Sequence, residues 1–438
     1  MTSRPPTTPA RADVPAVHAA IAPVSTLLGD RRSLYQLATE LLRPSAPVNP
    51  EDDAAENPIV RHRIGEALAG RATLVCTDLV PISDLIGDSG RLDAGPCELA
   101  VAWRRESNRL LAGALDGVGA ELGRQHATSG PLRLITEADG ERAAAALEVL
   151  RDGVALARST SCELIDDLLP HIALVGIIDP PSAGRMASAS SRSFPGLVLL
   201  ESPRSSIEAA EALVHEGAHQ KLFELAITRD LLTAHSDESP PFHPLWAPDC
   251  HGWPLEQTLA AGHAYACLAR FSHDSAASAG GPAVGPDSLL PVANERFEII
   301  AGWLLDRGDH LGADAHVLLA GLLSQRPRRG LSTVNSPDRT GSCYTVDPDL
   351  QFRRCKDADR VLVGRPSQPP QLFWLEPDAA LALELLGQHR PTSQLVGTFA
   401  ARWDMLPPEA SDRVALLLRE LAGSGLVRKT SGQLPTVR

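Results

Sequence analysis

Among the residues whose types and spacing could do chemistry, two histidines and a glutamate come first. The run Leu213-Val214-His215-Glu216-Gly217-Ala218-His219 reads His-Glu-x-x-His. On a helix, imidazoles four residues apart lie one above the other, so His215 and His219 can reach one metal ion. A glutamate beside the first histidine serves such sites as a base or as a partner of metal-bound water. Three fixed positions also arise by chance, and the plain alternative is a pair of ordinary helix histidines. The surrounding elements therefore decide.

Those elements suit a metal helix. Leu197-Val198-Leu199-Leu200 predicts a short buried strand. Ser205-Ser206-Ile207-Glu208 offers a capping box, with Ser205 as N-cap and Glu208 reaching back. From Ile207 the apolar residues fall at helical spacing through Ala210, Leu213, Val214, Ala218, Leu222 and Leu225, and both histidines border that stripe. Two imidazoles leave a coordination shell incomplete, so a third protein ligand is needed. The downstream candidates are His235, His243, Asp249, His251, Glu256 and His263. His263 is preferred, because a second helix over 255–271 can hold it rigidly; His251 and Glu256 are the fallbacks. On that second helix Glu256, His263, Cys267 and Arg270 share one stripe. No Gly-x-x-His extension follows His219, so the metzincin pattern is absent, while a glutamate-type zinc site through Glu256 stays open.

A chain of 438 residues with 43% hydrophobic content has material for two domains or three. Its net charge of −13 and the lack of a long basic face argue against a nucleic-acid partner. No apolar run reaches the roughly 18 residues of a spanning helix, so no membrane partner is expected. The seven cysteines are odd in number and form no Cys-x-x-Cys pair, which points to a reducing, cytoplasmic setting.

The expected organisation is α+β and predominantly helical, with the metal helix packed near a small sheet. Residues 1–30 read as a disordered Pro/Ala/Thr-rich lead-in. Residues 31–325 read as the metal-dependent catalytic domain, with helices at 31–43, 91–126 and 139–168, a strand at 172–178, and later helices at 292–306 and 313–325. The stretch 234–254, rich in Pro, His, Asp and Trp and without a period, reads either as a functional loop or as a solvated connector. Residues 272–287 read as a connecting loop and 326–342 as a linker. Beyond it, 343–438 reads as a small module with strands at 351–354, 360–364 and 371–375, helices at 377–388, 392–403 and 411–422, and a closing strand at 426–428. That order suggests a winged-helix shape. Its third helix carries few Lys or Arg residues, so a peptide partner fits it better than a DNA groove.

The run from Ile207 to Leu222 resembles the H-E-x-x-H modification domain found in gene clusters for ribosomally made, post-translationally modified peptides. The later runs Phe242-His243-Pro244-Leu245-Trp246 and Trp253-Pro254-Leu255 through His263-Ala264-Tyr265 are similar to that family's second block, a Pro-Trp-rich loop before a helix bearing a histidine. The resemblance covers about residues 31–325 and is specific over 195–271. It implies a non-haem iron enzyme that uses 2-oxoglutarate and oxygen to hydroxylate a peptide side chain, commonly at Cβ. His215, His219 and His263 would then hold Fe(II), Glu216 would orient a ligand or water, and Arg270 or else Arg296 would bind the far carboxylate of 2-oxoglutarate. Ala247 and Pro248 stand where the family carries arginine, so that arginine's role has no counterpart here. The C-terminal segment, from Asp349 to Arg353 and then Leu375-Glu376-Pro377, resembles the small peptide-recognition winged-helix domains of the same pathways, similar to the chaperone of pyrroloquinoline quinone biosynthesis. Such domains bind the leader of a precursor peptide as an added strand. The rival readings are a zinc peptidase, with Glu216 activating a zinc-bound water, and a non-catalytic protein with a structural metal.

Overall fold

The periodic apolar stripes of the chain become helices, and its β-branched runs become short strands, in a computed structural model that describes residues 13–43, 53–87, 89–125, 131–179, 188–247, 252–277, 284–323, 343–354, 360–388 and 392–430. The described structure is α+β and predominantly helical, with small sheets. No described helix is long and apolar enough to cross a membrane. The chain divides into two units. One comprises Met1–Arg31, Asn49–Gly65 and Leu74–Arg328; the other comprises Arg32–Val48, Glu66–Thr73 and Arg329–Arg438.

The first unit begins with α1 (Val14–Ile21) and the first residues of α2 (Val24–Leu42). It continues through residues 58–65 of α3 (Pro58–Leu68), whose last turn belongs to the second unit, then α4 (Ser83–Ile86), β1 (Arg91–Asp93), β2 (Glu98–Ala100), α5 (Ser107–Leu110), α6 (Ala112–Gln125) and α7 (Glu141–Leu168). Then come β3 (Leu174–Ile178), β4 (Ser188–Ser190), β5 (Leu197–Glu201), α8 (Ser206–Thr228), α9 (Leu255–Ala277), α10 (Ala293–Leu305) and α11 (Ala313–Leu322).

Three expectations change here. The lead-in expected to be disordered through residue 30 is helical from Val14: Asp13 caps α1 by accepting from the Ala16 amide at 3.4 Å, and Val14 and His18 are buried. Composition alone signalled coil, but Val14, Val17 and Ile21 recur at helical spacing and pack against the core. Residues 1–12 lie outside the described residues. The helix expected over 91–126 opens instead as a hairpin, with Leu92 opposite Leu99. Gly95, at φ +92°, and Pro96 form the turn, a place where a helix cannot run. Residues 272–277, expected as loop, continue α9.

The core is built by α7, α8, α9 and α10, through Leu150 and Leu168, Leu213 and Leu222, Leu259 and Phe271, and Ile300 and Leu304. Gly153 lets α7 and α8 approach: a Cβ there would lie 2.5 Å from the Ala209 Cβ and 3.1 Å from the Ser206 carbonyl oxygen. Near its end α7 breaks at Ser161 (φ −147°, ψ 68°), whose hydroxyl donates to Asp274 at 2.5 Å. The sheet has order β3-β5-β4, with β3 parallel and β4 antiparallel to β5. All five residues of β3 are buried, as a strand covered on both faces requires. Gln220 ties α8 to this sheet, accepting from the Gly196 amide at 2.7 Å and donating to the Leu197 carbonyl at 3.0 Å.

A buried ion cluster ties α2 and α3 to α8. Arg31 pairs with Glu224 and, at 2.6 Å, with Glu56; Arg61 also pairs with Glu56; and His171 Nδ1 lies 2.6 Å from Glu224 Oε2. Burial pushes the Glu224 carboxyl up, but Arg31, His171 and Arg61 outweigh it and hold it at about 2. Burial pushes His171 below the ordinary histidine value despite Glu224.

The second unit contains residues 32–42 of α2, then β6 (Cys343–Val346), β7 (Gln351–Arg354), β8 (Val361–Arg365), β9 (Gln371–Leu375), α12 (Pro377–Gly387), α13 (Thr392–Arg402), α14 (Pro407–Gly423) and β10 (Val427–Thr430). The strands and helices expected after 343 are present, with α14 starting earlier, at a proline suited to a first turn. β6 was not expected; it pairs antiparallel with β10. Antiparallel β7-β8-β9 forms a second sheet. Val363 and Leu375 pack with Leu386, Phe399 and Leu417, whereas Leu362 packs with Leu34, Leu37 and Leu41 of α2. Arg353 of β7 donates to Gln36 at 2.7 Å and Glu40 at 2.6 Å.

Two outcomes follow from this packing. Gly153→Ala gains about 1 kcal/mol of helix propensity and incurs overpacking of roughly 1–3 kcal/mol. The close approach puts that cost at the upper end, so a thermal melt should show a net loss; a raised Tm would refute the approach of α7 to α8. For the ion cluster, the unfolded chain takes up a proton on His171 before the folded chain does, so stability falls as pH drops below the ordinary histidine range. Glu224 has the depressed value of a paired carboxylate. Its contribution, on the order of 3 kcal/mol, is present above the unfolded glutamate pKa of about 4.3 and is lost as pH falls from there toward 2. Urea midpoints across pH 7 to 2 should show both declines, and Glu224→Gln should flatten the lower one.

Candidate metal centre

The HExxH helix α8 starts at Ser205, whose hydroxyl accepts from the Glu208 amide at 3.4 Å. Glu208 reaches back to the Arg204 amide at 2.8 Å, one residue earlier than the expected capping box. Two turns on, His215 Nε2 and His219 Nε2 face each other at 3.2 Å, the rings meeting edge-on with centroids 4.7 Å apart. His219 also stacks on Phe223. Burial, then the neighbouring His215, push the His219 imidazole well below its ordinary pKa and keep it neutral, the form that binds metal. Both Nδ1 atoms are buried without a hydrogen-bond partner among the described residues.

Glu216 is 2% exposed and turned toward the sheet. Its Oε1 accepts from the Ser188 hydroxyl at 2.6 Å and its Oε2 from the Ser190 hydroxyl at 2.5 Å. Those serines stand two apart on β4 and so point to one face. Glu216 Oε1 also lies 4.0 Å from His215 Nε2. The carboxylate is thus pinned beside the histidine pair with both oxygens engaged.

The other expected residues are placed as follows. His263 is buried on α9 with both ring nitrogens engaged: Nδ1 faces the Ala218 carbonyl at 3.0 Å and Nε2 faces His18 Nε2 at 2.7 Å. Glu256 pairs with Arg192. His235 is exposed near Glu238, and His243 is exposed beside Gly252. Asp249 and His251 lie outside the described residues. Arg270 donates to Asp274 at 2.8 Å and lines a cavity of about 40 Å³ with Val14, Phe297 and Leu322, space for a water molecule or so. Arg296 donates to the Tyr265 hydroxyl at 2.8 Å and lies over the rings of Trp246, at 4.9 Å, and Tyr265, at 5.5 Å. Among the described residues no carboxylate pairs with it.

Trp246 belongs to the long segment 234–254, which is fastened by two backbone hydrogen bonds between Phe242 and Trp253 at 2.7 and 2.8 Å. Phe242, Trp246, Trp253, Tyr265 and Trp303 form one aromatic cluster around this fastening. An open cleft lined by Trp103, Arg104, Glu106 and Glu137 contains none of these groups.

A second polar cluster, not anticipated from the sequence, lies inside the helical core. His18 Nδ1 is 2.6 Å from Asp167 Oδ2, and Lys221 Nζ donates to Asp167 Oδ1 at 2.5 Å. Cys267 Sγ is 3.9 Å from His263 Nε2. Burial pushes His18 down to about 4, against the pull of Asp167. Burial raises Asp167, but the hydrogen bond from His18 and the Lys221 charge outweigh it and hold the carboxyl low. Lys221 is pushed down and the Cys267 thiol up, both chiefly by burial. The sequence placed His263 and Cys267 on one stripe of α9 but gave no sign of their meeting with His18, Asp167 and Lys221.

No known protein family matches the chain, and no curated protein is significantly similar to it.

Removing both serine hydroxyls, as in Ser188→Ala with Ser190→Ala, leaves a buried carboxylate without donors. The double variant should lose about 3 kcal/mol of stability, with each single variant losing less. Urea unfolding measures it, and an unchanged midpoint would mean that Glu216 does not lean on β4.

Proposed function

We propose that this chain is a non-haem Fe(II)/2-oxoglutarate-dependent oxygenase that hydroxylates, at Cβ, a side chain of a ribosomally made precursor peptide. The observation that carries the reading is the convergence of His215 Nε2 and His219 Nε2 at 3.2 Å with Glu216 fixed beside them. Imidazole suits iron and zinc alike, so the pair fits either metal. Bound Fe(II), with 2-oxoglutarate and oxygen, would supply the oxidising power for the C–H bond. His263, the third ligand implied by the resemblance, has its ring nitrogens on Ala218 and His18, so the proposal stands on the pair.

The protein's own residues have these parts. His215 and His219 hold the ion. Glu216 keeps the first histidine's surroundings fixed. Arg296, without a carboxylate partner among the described residues and set against Trp246 and Tyr265, binds the far carboxylate of 2-oxoglutarate. Arg270 fits that part less well, because Asp274 already neutralises it. The segment fastened at Phe242 and Trp253 shields the bound peptide from water. The second unit serves as a winged-helix-like module for the leader. Its β7 is an edge strand with Phe352 51% exposed, which favours strand addition.

The zinc-peptidase reading asks Glu216 to take a proton from metal-bound water. With both oxygens held by Ser188 and Ser190, the carboxylate is poorly placed to do so, and this favours the oxygenase.

Anaerobic Fe(II) followed by 2-oxoglutarate should give a weak visible charge-transfer band that needs both additions. His219→Ala should abolish it. Arg296→Leu should raise the 2-oxoglutarate requirement about tenfold or more, the effect of losing roughly 1.4 kcal/mol of binding. A protein that gives no band, retains zinc and cleaves peptides would overturn the oxygenase reading in favour of the peptidase.

A further inference from the structure

The proton inventory of the interior cluster leaves two facing ring nitrogens with no hydrogen between them. A neutral imidazole has one N–H. His18 Nδ1 faces the Asp167 carboxylate, an acceptor, so its N–H sits there. His263 Nδ1 faces the Ala218 carbonyl, also an acceptor, so its N–H sits there. Both Nε2 atoms are then lone pairs, and they point at each other across 2.7 Å. Cys267, one turn after His263 on the same face of α9, brings its sulfur within 3.9 Å of that nitrogen. The three donor atoms all lie within 4.8 Å of one another, and the three residues are 0%, 1% and 0% exposed.

We propose that His18, His263 and Cys267 form a second metal site, separate from the His215/His219 pair: a structural zinc site that clasps the N-terminal helix α1 to α9. Zinc binds imidazole nitrogen at about 2.0–2.1 Å and thiolate at about 2.3 Å, so donors sharing one ion stand roughly 3–4 Å apart. The cluster meets that spacing when the two imidazoles open from 2.7 Å and the Cys267 sulfur, within 4.8 Å of both nitrogens, draws in. Metal-bound histidines characteristically donate their other N–H to a carboxylate or a backbone carbonyl. His18 has the first on Asp167 and His263 the second on Ala218, whereas both Nδ1 atoms of the His215/His219 pair lack a partner among the described residues. A thiolate with two imidazoles selects zinc over hard cations. On binding, the Cys267 S–H bond breaks, a Zn–S bond forms and the proton leaves to water, with no change of oxidation state. A water would complete the four-coordinate shell, and burial of all three protein ligands leaves no route for a substrate, so the site holds the fold.

The test is titration of the metal-depleted full-length protein with Co(II), then with Zn(II). Wild type should show an intense near-ultraviolet thiolate-to-cobalt band and tetrahedral visible bands. These should persist in the His215→Ala, His219→Ala double variant and vanish in Cys267→Ser. Zinc binding should fall by one equivalent in His18→Gln, and zinc should slow amide exchange across residues 14–21 of wild type at least tenfold. Because the double variant removes the other site, failure of the oxygenase reading would not touch this result. No thiolate band in folded wild type, or a band that survives Cys267→Ser, would overturn the proposal and leave two imidazoles sharing one proton. Should Cys267→Ser fail to fold, the zinc count of His18→Gln decides: one equivalent fewer supports the site, and an unchanged count overturns it.

Discussion

A helix buried over most of its surface cannot carry ionisable groups on its buried faces unless neighbouring elements bring a partner to each one. Helix α8 carries Glu216, Lys221 and Glu224 in that situation. β4 meets Glu216 with two hydroxyls, α7 meets Lys221 with Asp167, and α2 meets Glu224 with Arg31. Each requirement recruits a different element, and together they fix the helix in rotation and along its axis. Hydrophobic packing alone would specify this less tightly, because leucine tolerates sliding and a hydrogen-bonded carboxylate does not. The direction of His215 and His219 is a by-product of that fixation.

Local signals were legible in the sequence and long-range pairings were not. Ser205, the apolar spacing after Ile207 and the β-branched runs of 172–178 and 361–365 report on their own neighbourhoods, and the elements formed there. The hairpin at 91–100 was misread because alanine and leucine suit helices, while Gly95 and Pro96 override them at the turn. β6 stayed hidden since its partner β10 comes from the end of the chain. In the site, the His215/His219 pair was readable from a spacing of four. The direction of His263 was not, since it depends on His18, which sits in a stretch whose composition resembles coil. Asp167 is one acid among many on α7, and only its meeting with Lys221 distinguishes it.

Residues 207–222 and 242–265 thus carry two kinds of histidine. His215 and His219 converge at the partly buried edge of α8 beside an anchored glutamate, an arrangement open to small ligands. His263 faces inward, backed by a carbonyl and opposed by an imidazole from α1. Motif spacing treats the three as equivalent ligands. Hydrogen-bond direction separates them, because a ring with both nitrogens committed must break a contact before it can serve a metal elsewhere.

The break in α7 at Ser161 has a consequence for phase. Along an unbroken helix each residue advances about 100°, so the facing of Asp167 would be dictated by every residue counted from Glu141. The non-helical dihedrals at Ser161 reset that count, and its bond to Asp274 anchors the new origin to α9. The short final segment, with Leu164, Asp167 and Leu168 facing inward, therefore takes its angle from the polar core, whereas the long first segment takes its angle from the apolar contact at Gly153. An insertion or deletion before the break would rotate only what precedes it. The two halves of one nominal helix are free to change sequence and length as if they were separate elements.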